Sequence, residues 1–157
     1  MAHFAKIDDN NIVLRVDHVD DSIATSEAAG QAHLAQHSGW PAEKWIMTDE
    51  NTKRNQHLYN GTPFRGNFAA TGFEWDSTNN VFWPPKGNNP ASWVKNNTTA
   101  DWESPLGVQP QVDQSEKFTH FYTWNEDTQA WDKKAFPTPI SQEDYEEFGE
   151  EVFGMSR

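Results

Sequence analysis

His33 and His37 stand four residues apart in "HLAQH", a spacing that puts two imidazoles on one face of a helix, as in zinc sites. A zinc hydrolase of that pattern adds a catalytic glutamate between the histidines, and here Leu34, Ala35 and Gln36 intervene. The pair therefore reads as two exposed polar residues, with a small metal hydrolase as the weak alternative. His3, His18, His57 and His120 are scattered without a ligand spacing. The acid-rich stretches "DDNN", "DSTNN" and "NEDT" offer oxygen ligands, but none is followed at the right distance by the bidentate glutamate that closes a calcium loop. They read instead as tight turns. Arg65, set between rings in "PFRGNF", suits a structural ion pair or a cation–π contact. No nucleophile elbow, phosphate-binding glycine loop or paired-carboxylate motif occurs, and with no cysteine in the chain there is no thiolate, disulfide or cysteine zinc site. The expectation is a protein that is not an enzyme, with no catalytic residue, no metal and no cofactor.

The second source of chemistry is aromatic. The chain has 8 Trp and 10 Phe among its 157 residues. Rings at Trp75, Trp83, Trp93, Trp102, Trp124 and Trp131 have the character of platforms for sugar faces. Against that, only 35% of residues are hydrophobic and mean hydropathy is −0.89, so most rings are needed inside. The residues expected to contact a partner or a glycan are Trp83, Trp93 and Trp102, with Tyr145, Phe148, Val152 and Phe153 from the carboxyl-terminal segment.

The elements that must carry these rings follow one local rule. "WDSTNNVF", "KNNTTADW" and "WNEDTQAW" share an order: Asp or Asn, two residues, Asn or Thr, two residues, then a large ring. An Asx side chain opening a turn accepts hydrogen bonds from amides just ahead of it. The closing ring then lies across the ladder from the opening arm. The template predicts hairpins with Trp75 facing Phe82 and Trp124 facing Trp131. Prolines at Pro84, Pro85, Pro105 and Pro137 end the return strands. Asp8, Asn11 and Leu14 keep the same spacing, predicting a hairpin from about Phe4 to Val19 in which Ile12, Leu14 and Val16 share one face.

One helix is expected near residues 25 to 38, capped by Ser22 or Thr25 and stopped by Gly39, followed by a strand at Trp45, Ile46 and Met47. "PISQEDYEEFGEEVF" opens with a capping box at Ser141 and Asp144 and predicts an acidic tail helix. The fold class is thus mainly β: a single hairpin-rich antiparallel domain over residues 1 to 137, with an acidic helical tail over 138 to 157. The tail's apolar face is too small to fold alone, and the prolines before it suggest that it docks on a neighbouring chain. A net charge of −12 with no basic patch argues against nucleic acid. No apolar run is long enough to cross a bilayer, and the start "MAHFAKIDDNN" lacks the pattern of a signal peptide, so a soluble protein made in a bacterial cytoplasm is expected.

From Tyr59 onward, "YNGTPFRGNFAATGFEWDSTNNVFWPPK", "PASWVKNNTTADWESP" and "FYTWNEDTQAW" resemble a family of small proteins of marine bacteriophages, of the cyanophage and pelagiphage type. The start of the chain and the "EAAG" helix resemble it too, so the resemblance covers roughly residues 1 to 131. It implies a virion structural protein, external and accessory, bound to a larger capsid, neck or tail protein. Other virion chains would be its partners, with further copies of itself as a second kind of partner. A host-glycan-binding adhesion module is the alternative. The acidic tail has no counterpart in that resemblance.

Overall fold

The computed structural model describes residues 1–153, and the side chains of its last helix as far as Glu147. Among the described residues the chain is mainly β, with one three-stranded sheet, four two-stranded sheets and two α-helices. It packs as two compact units, the first made of residues 1–88 and 95–102, the second of residues 89–94 and 103 onward. The polypeptide thus passes from one unit to the other around the second template hairpin, and the segment beyond Pro137 belongs with the second unit.

The first unit is built on a sheet of order β2-β1-β3, formed by β1 (Ala2–Ile7), β2 (Val13–Val19) and β3 (Trp45–Thr48), all antiparallel. The hairpin between β1 and β2 turns as the sequence predicts, with Asp8 Oδ1 accepting the N–H groups of Asn10 (2.8 Å) and Ile12 (2.9 Å). The inward face of β2 differs from expectation. Register shifts by one residue where Ile7 pairs with Val13 but Lys6 pairs with Arg15, leaving Leu14 as an unpaired bulge. Val13 is therefore buried and Leu14 exposed, the reverse of the alternation read from the sequence. Helix α1 (Glu27–Ser38) crosses the sheet, capped by Ser26 Oγ on Ala29 N–H rather than by Ser22 or Thr25, and it ends at Gly39 as predicted. Ser22 instead bonds Asp20 in the preceding turn. A Cβ on Gly30 would lie 2.3 Å from the Phe4 ring, so only glycine allows the helix this close.

The outer edge of β3 is closed by side chains. Glu27 Oε1 accepts the Met47 N–H (3.0 Å), Arg65 Nη1 donates to the Met47 carbonyl (2.8 Å), and Gln31 Nε2 donates to the Trp45 carbonyl (2.7 Å). With Trp45 and Met47 pointing away from β1, their partners Lys6 and Phe4 must bond β2 through Arg15 and Asp17. The backbone groups of Val16 and His18 consequently point outward from the sheet.

Four short ribbons complete the β structure: β4 (Thr52–Lys53) with β5 (Gln56–His57), β6 (Glu74–Asp76) with β7 (Val81–Trp83), β8 (Val94–Asn96) with β9 (Asp101–Glu103), and β10 (His120–Asn125) with β11 (Ala130–Ala135). Pairs this short are marginal alone. In the first unit the irregular segment 64–69, "FRGNFA", ties them together. Buried Asn67 accepts the Arg54 N–H on Oδ1 (2.8 Å), while its Nδ2 donates to the carbonyls of Phe82 (2.9 Å) and Ala100 (2.7 Å). One amide thus joins the turn after β4, strand β7 and the turn before β9. Around it, Phe82 N–H bonds Arg65 O, Asn55 N–H bonds Gly66 O and Phe68 N–H bonds Thr52 O. Arg65 grips both oxygens of Glu27 (2.7 and 3.0 Å) and lies over the rings of Phe64 and Trp75, which makes it the ion-pair and cation–π residue read from the sequence. Gly66, at φ +74°, has Ala100 Cβ and Val81 Cγ1 each 2.8 Å from where its own Cβ would sit.

The second unit is thinner. It consists of the β10–β11 hairpin, the flanking segments 89–94 and 103–119, and helix α2 (Gln142–Phe153). Its tail is tied to its own unit: Ile140 N–H bonds Phe118 O (3.0 Å), and the Tyr145 ring meets Phe118 edge-on at 5.5 Å. The first turn of the expected tail helix therefore packs within the chain rather than only on a neighbour.

Replacing Asn67 with Ala leaves two buried carbonyls and one part-buried N–H without this partner and should cost about 3 kcal/mol or more in urea denaturation. Asn67→Asp should cost at least as much despite its equal size, because it sets a carboxylate against two carbonyls. Glu27 supplies a pH test. Burial favours its neutral form, but the bonds from Arg65 and from the Met47 N–H outweigh this and hold its pKa below the ordinary 4.5. A lowered folded-state value adds stability above that pH, and this is lost as pH falls through the folded value. Thermal midpoints should therefore drop on acidification in the wild-type chain, and less steeply in Glu27→Gln.

Candidate functional site

The three template hairpins form as their sequences predict. Asp76 Oδ1 accepts the N–H groups of Thr78 and Asn79 (both 3.1 Å), Asn96 Oδ1 those of Thr98 and Thr99, and Asn125 Oδ1 those of Asp127 and Thr128. The fifth residue of each turn, Asn80, Ala100 or Gln129, has left-handed φ of 58°, 52° and 49°. Trp75 pairs with Phe82 at a ring distance of 4.6 Å, and Trp124 with Trp131 at 5.1 Å. The carboxylate of Asp76 is fully engaged in its turn, because Oδ2 also accepts Asn79 Nδ2 and the Trp83 indole N–H. Partial burial works against its charge, yet the bonds from Asn79, Trp83 and Thr78 prevail and its pKa is lowered.

The expected contact residues separate into three groups. Trp83 is 1% exposed and packs with Val81 and Ala100, so it belongs to the core of the first unit and cannot meet a partner. The all-buried pattern of β7 explains this: the ribbon is sandwiched on both faces, and period-two alternation fails where no face sees water. Trp102 is half-buried, its indole N–H held by Pro84 O (2.8 Å), with Lys86 and Lys95 ammonium groups near its ring. Phe148, Val152 and Phe153 lie outside the residues whose side chains are described. Tyr145 rests on Phe118, with Lys117 over both rings.

Trp93 joins Trp124 and Trp131 in the second unit. Their centroids lie 6.3, 6.0 and 5.1 Å apart, and all three contacts are edge-to-face. Glu126 clamps this cluster: one oxygen accepts the Ser92 N–H, and the other accepts Ser92 Oγ and the Trp124 indole N–H. The indole N–H groups of Trp93 and Trp131 are buried without a hydrogen-bond partner. On the opposite face of the hairpin Phe121 and Phe136 stack at 4.7 Å. Every residue of β10 is only half-buried, and among the described residues no hydrophobic side chain of this unit is fully buried. The unit also holds twelve of the chain's acidic residues against four basic ones.

His33 and His37 stack at 4.2 Å on α1, His37 Nδ1 lies 2.7 Å from His33 O, and among the described residues no group of three potential ligands gathers. Two cavities in the first unit were not legible beforehand. One, of about 400 Å³, is lined by His3, Asp49, Glu50, His57 and Phe64 among others; the second, of about 390 Å³, is walled by Leu58, Phe68, Phe73 and Pro84. The sequence signal for the second is Leu58, an apolar residue set just before the Asn60-Gly61 turn. Among the described residues no helix is long and apolar enough to cross a membrane.

Comparison with protein-family models, with curated proteins and with solved structures finds no match to this chain.

The tryptophan cluster makes a local prediction. Trp131→Ala should accelerate amide hydrogen exchange through β10 and β11 by at least about tenfold, the equivalent of ~1.4 kcal/mol. Exchange in β1 and β3 should be unchanged.

Proposed function

We propose that this chain is a non-enzymatic structural subunit of a bacteriophage particle, an external accessory protein held on a larger capsid, neck or tail protein. The observation that carries this reading is the second unit's unsealed aromatic layer: rings on both faces of a two-stranded ribbon, none of them fully buried. A small domain that gathers this many rings and does not close over them gains most of its burial from another chain. The resemblance of the ordered hairpin motifs to small phage proteins supplies the context. Acidity suits the role, because like charges keep many copies dispersed before assembly.

The glycan-binding alternative draws on the same half-buried tryptophans. The edge-to-face packing of Trp93, Trp124 and Trp131 favours subunit packing over sugar stacking, since each such contact sets one ring's edge against a neighbour's face, the surface on which a sugar would stack. Quantitative mass spectrometry of gradient-purified particles provides the test. The chain should be present at a fixed ratio to the major shell or tail protein, and particles from a deletion strain should lose stability or infectivity. Absence from purified particles overturns the assignment. Normal particles that fail only to attach to host cells would favour the glycan reading.

A further inference from the structure

The first unit carries a second surface that the assembly reading does not use. The segment from β5 to Gly61 is a hydrogen-bonded loop with an apolar tip. His57 Nδ1 accepts the N–H groups of both Tyr59 (3.1 Å) and Gly61 (3.0 Å), folding the chain around the imidazole. The clamp leaves Leu58 61% and Tyr59 78% exposed, the latter among the most exposed large hydrophobic side chains described. Holding two such residues in water on an ordered loop is unfavourable unless something covers them.

The loop stands between the two cavities, which meet at Glu50. They differ in character. The fixed charges facing the first are the carboxylates of Asp49 and Glu50; the Met1 ammonium at its margin is held by Asp21 at 2.8 Å, and no Lys or Arg lines it. Asp49 is engaged by Asn51 N–H and Thr52 Oγ, whereas Glu50 is over half exposed, with His3 at 3.9 Å and the Met1 ammonium within electrostatic reach. The second cavity is mainly apolar, and the charges at its rim balance, Lys53 and Arg54 against Glu50 and Asp101, with Arg54 meeting Asp101 at 3.4 Å.

We infer that this surface docks an extended segment of a partner polypeptide carrying a large apolar residue beside a basic one. The apolar side chain enters the groove between Leu58, Phe68, Phe73 and Pro84. The basic head reaches Glu50 in the neighbouring cavity. Charge selects the occupant: the first cavity has no Lys or Arg in its wall, and its carboxylates Asp49 and Glu50, on a chain of net charge −12, repel acidic segments and attract cationic ones. A groove of this size accepts one aromatic or leucine-sized side chain, and the pre-set loop lowers the ordering cost of binding. The inference is independent of the particle assignment.

The experiment titrates the full-length, ¹⁵N-labelled chain with the capped peptide acetyl-Gly-Phe-Arg-Gly-amide and follows backbone amide shifts. Shifts confined to residues 49 to 60, 67, 68 and 73, saturating with millimolar affinity, are expected. Glu50→Gln and Leu58→Ala, both at exposed positions, should each weaken binding by about fivefold without changing the thermal midpoint. The peptides with Glu in place of Arg, or Ala in place of Phe, should bind at least about fivefold more weakly. No saturable shift, a shift map elsewhere, or equal binding of the Glu peptide overturns the proposal.

Discussion

A carboxamide buried at Asn67 sets the terms for the first unit. Ribbons of two or three residues per strand cannot hold their register by ladder bonds alone, and the unit contains three of them beside its sheet. Asn67 meets the need in the most compact way available, with one acceptor and two donors aimed at three segments far apart in sequence. The neighbouring backbone completes the lattice, and Arg65 extends it to α1 and β3 through Glu27 and Met47. Ala100 shows how tight the arrangement is. It takes a left-handed φ normally left to Gly or Asn, and its methyl group leaves no room for a Cβ on Gly66.

Legibility in the sequence follows from the range of the forces involved. The Asx turns were readable because an Asp or Asn and the amides it binds lie within four residues, and the ring pairs across each ladder followed from turn length. Helix α1 and its stop at Gly39 were readable for the same reason. The side of β2 that faces inward was not, because the bulge at Leu14 is set by its partner strand. Trp83 could not be told from a surface ring, since its burial comes from elements on both sides of a three-residue strand. Asn67 left no signal at all: its partners are backbone groups, and every residue type supplies those. The change of unit near the second template hairpin was equally hidden, because the template there reads like the other two.

The two units divide the chain's aromatic investment differently. In the first, Trp45, Trp83, Phe4 and Phe82 are fully enclosed, and the polar surface is organised by turns. In the second, rings pack edge-to-face on a single ribbon and a carboxylate, Glu126, fastens the strand to the segment before it. Edge-to-face contacts are directional, so a few rings fix one arrangement where a few aliphatic side chains would not.

The side chains that close the outer edge of β3 have a consequence for how sheets of this protein could add to one another. Growth of a β assembly by repeated addition needs two open edges on every copy, one to receive a strand and one to offer the next. Here Glu27, Gln31 and Arg65 satisfy the groups of Trp45 and Met47 from the side, and only Val16 and His18 on the far strand remain turned outward. A copy joined through that open edge presents no second edge of this sheet. Such a sheet is a chain terminator: association through it stops at a pair, however concentrated the protein becomes.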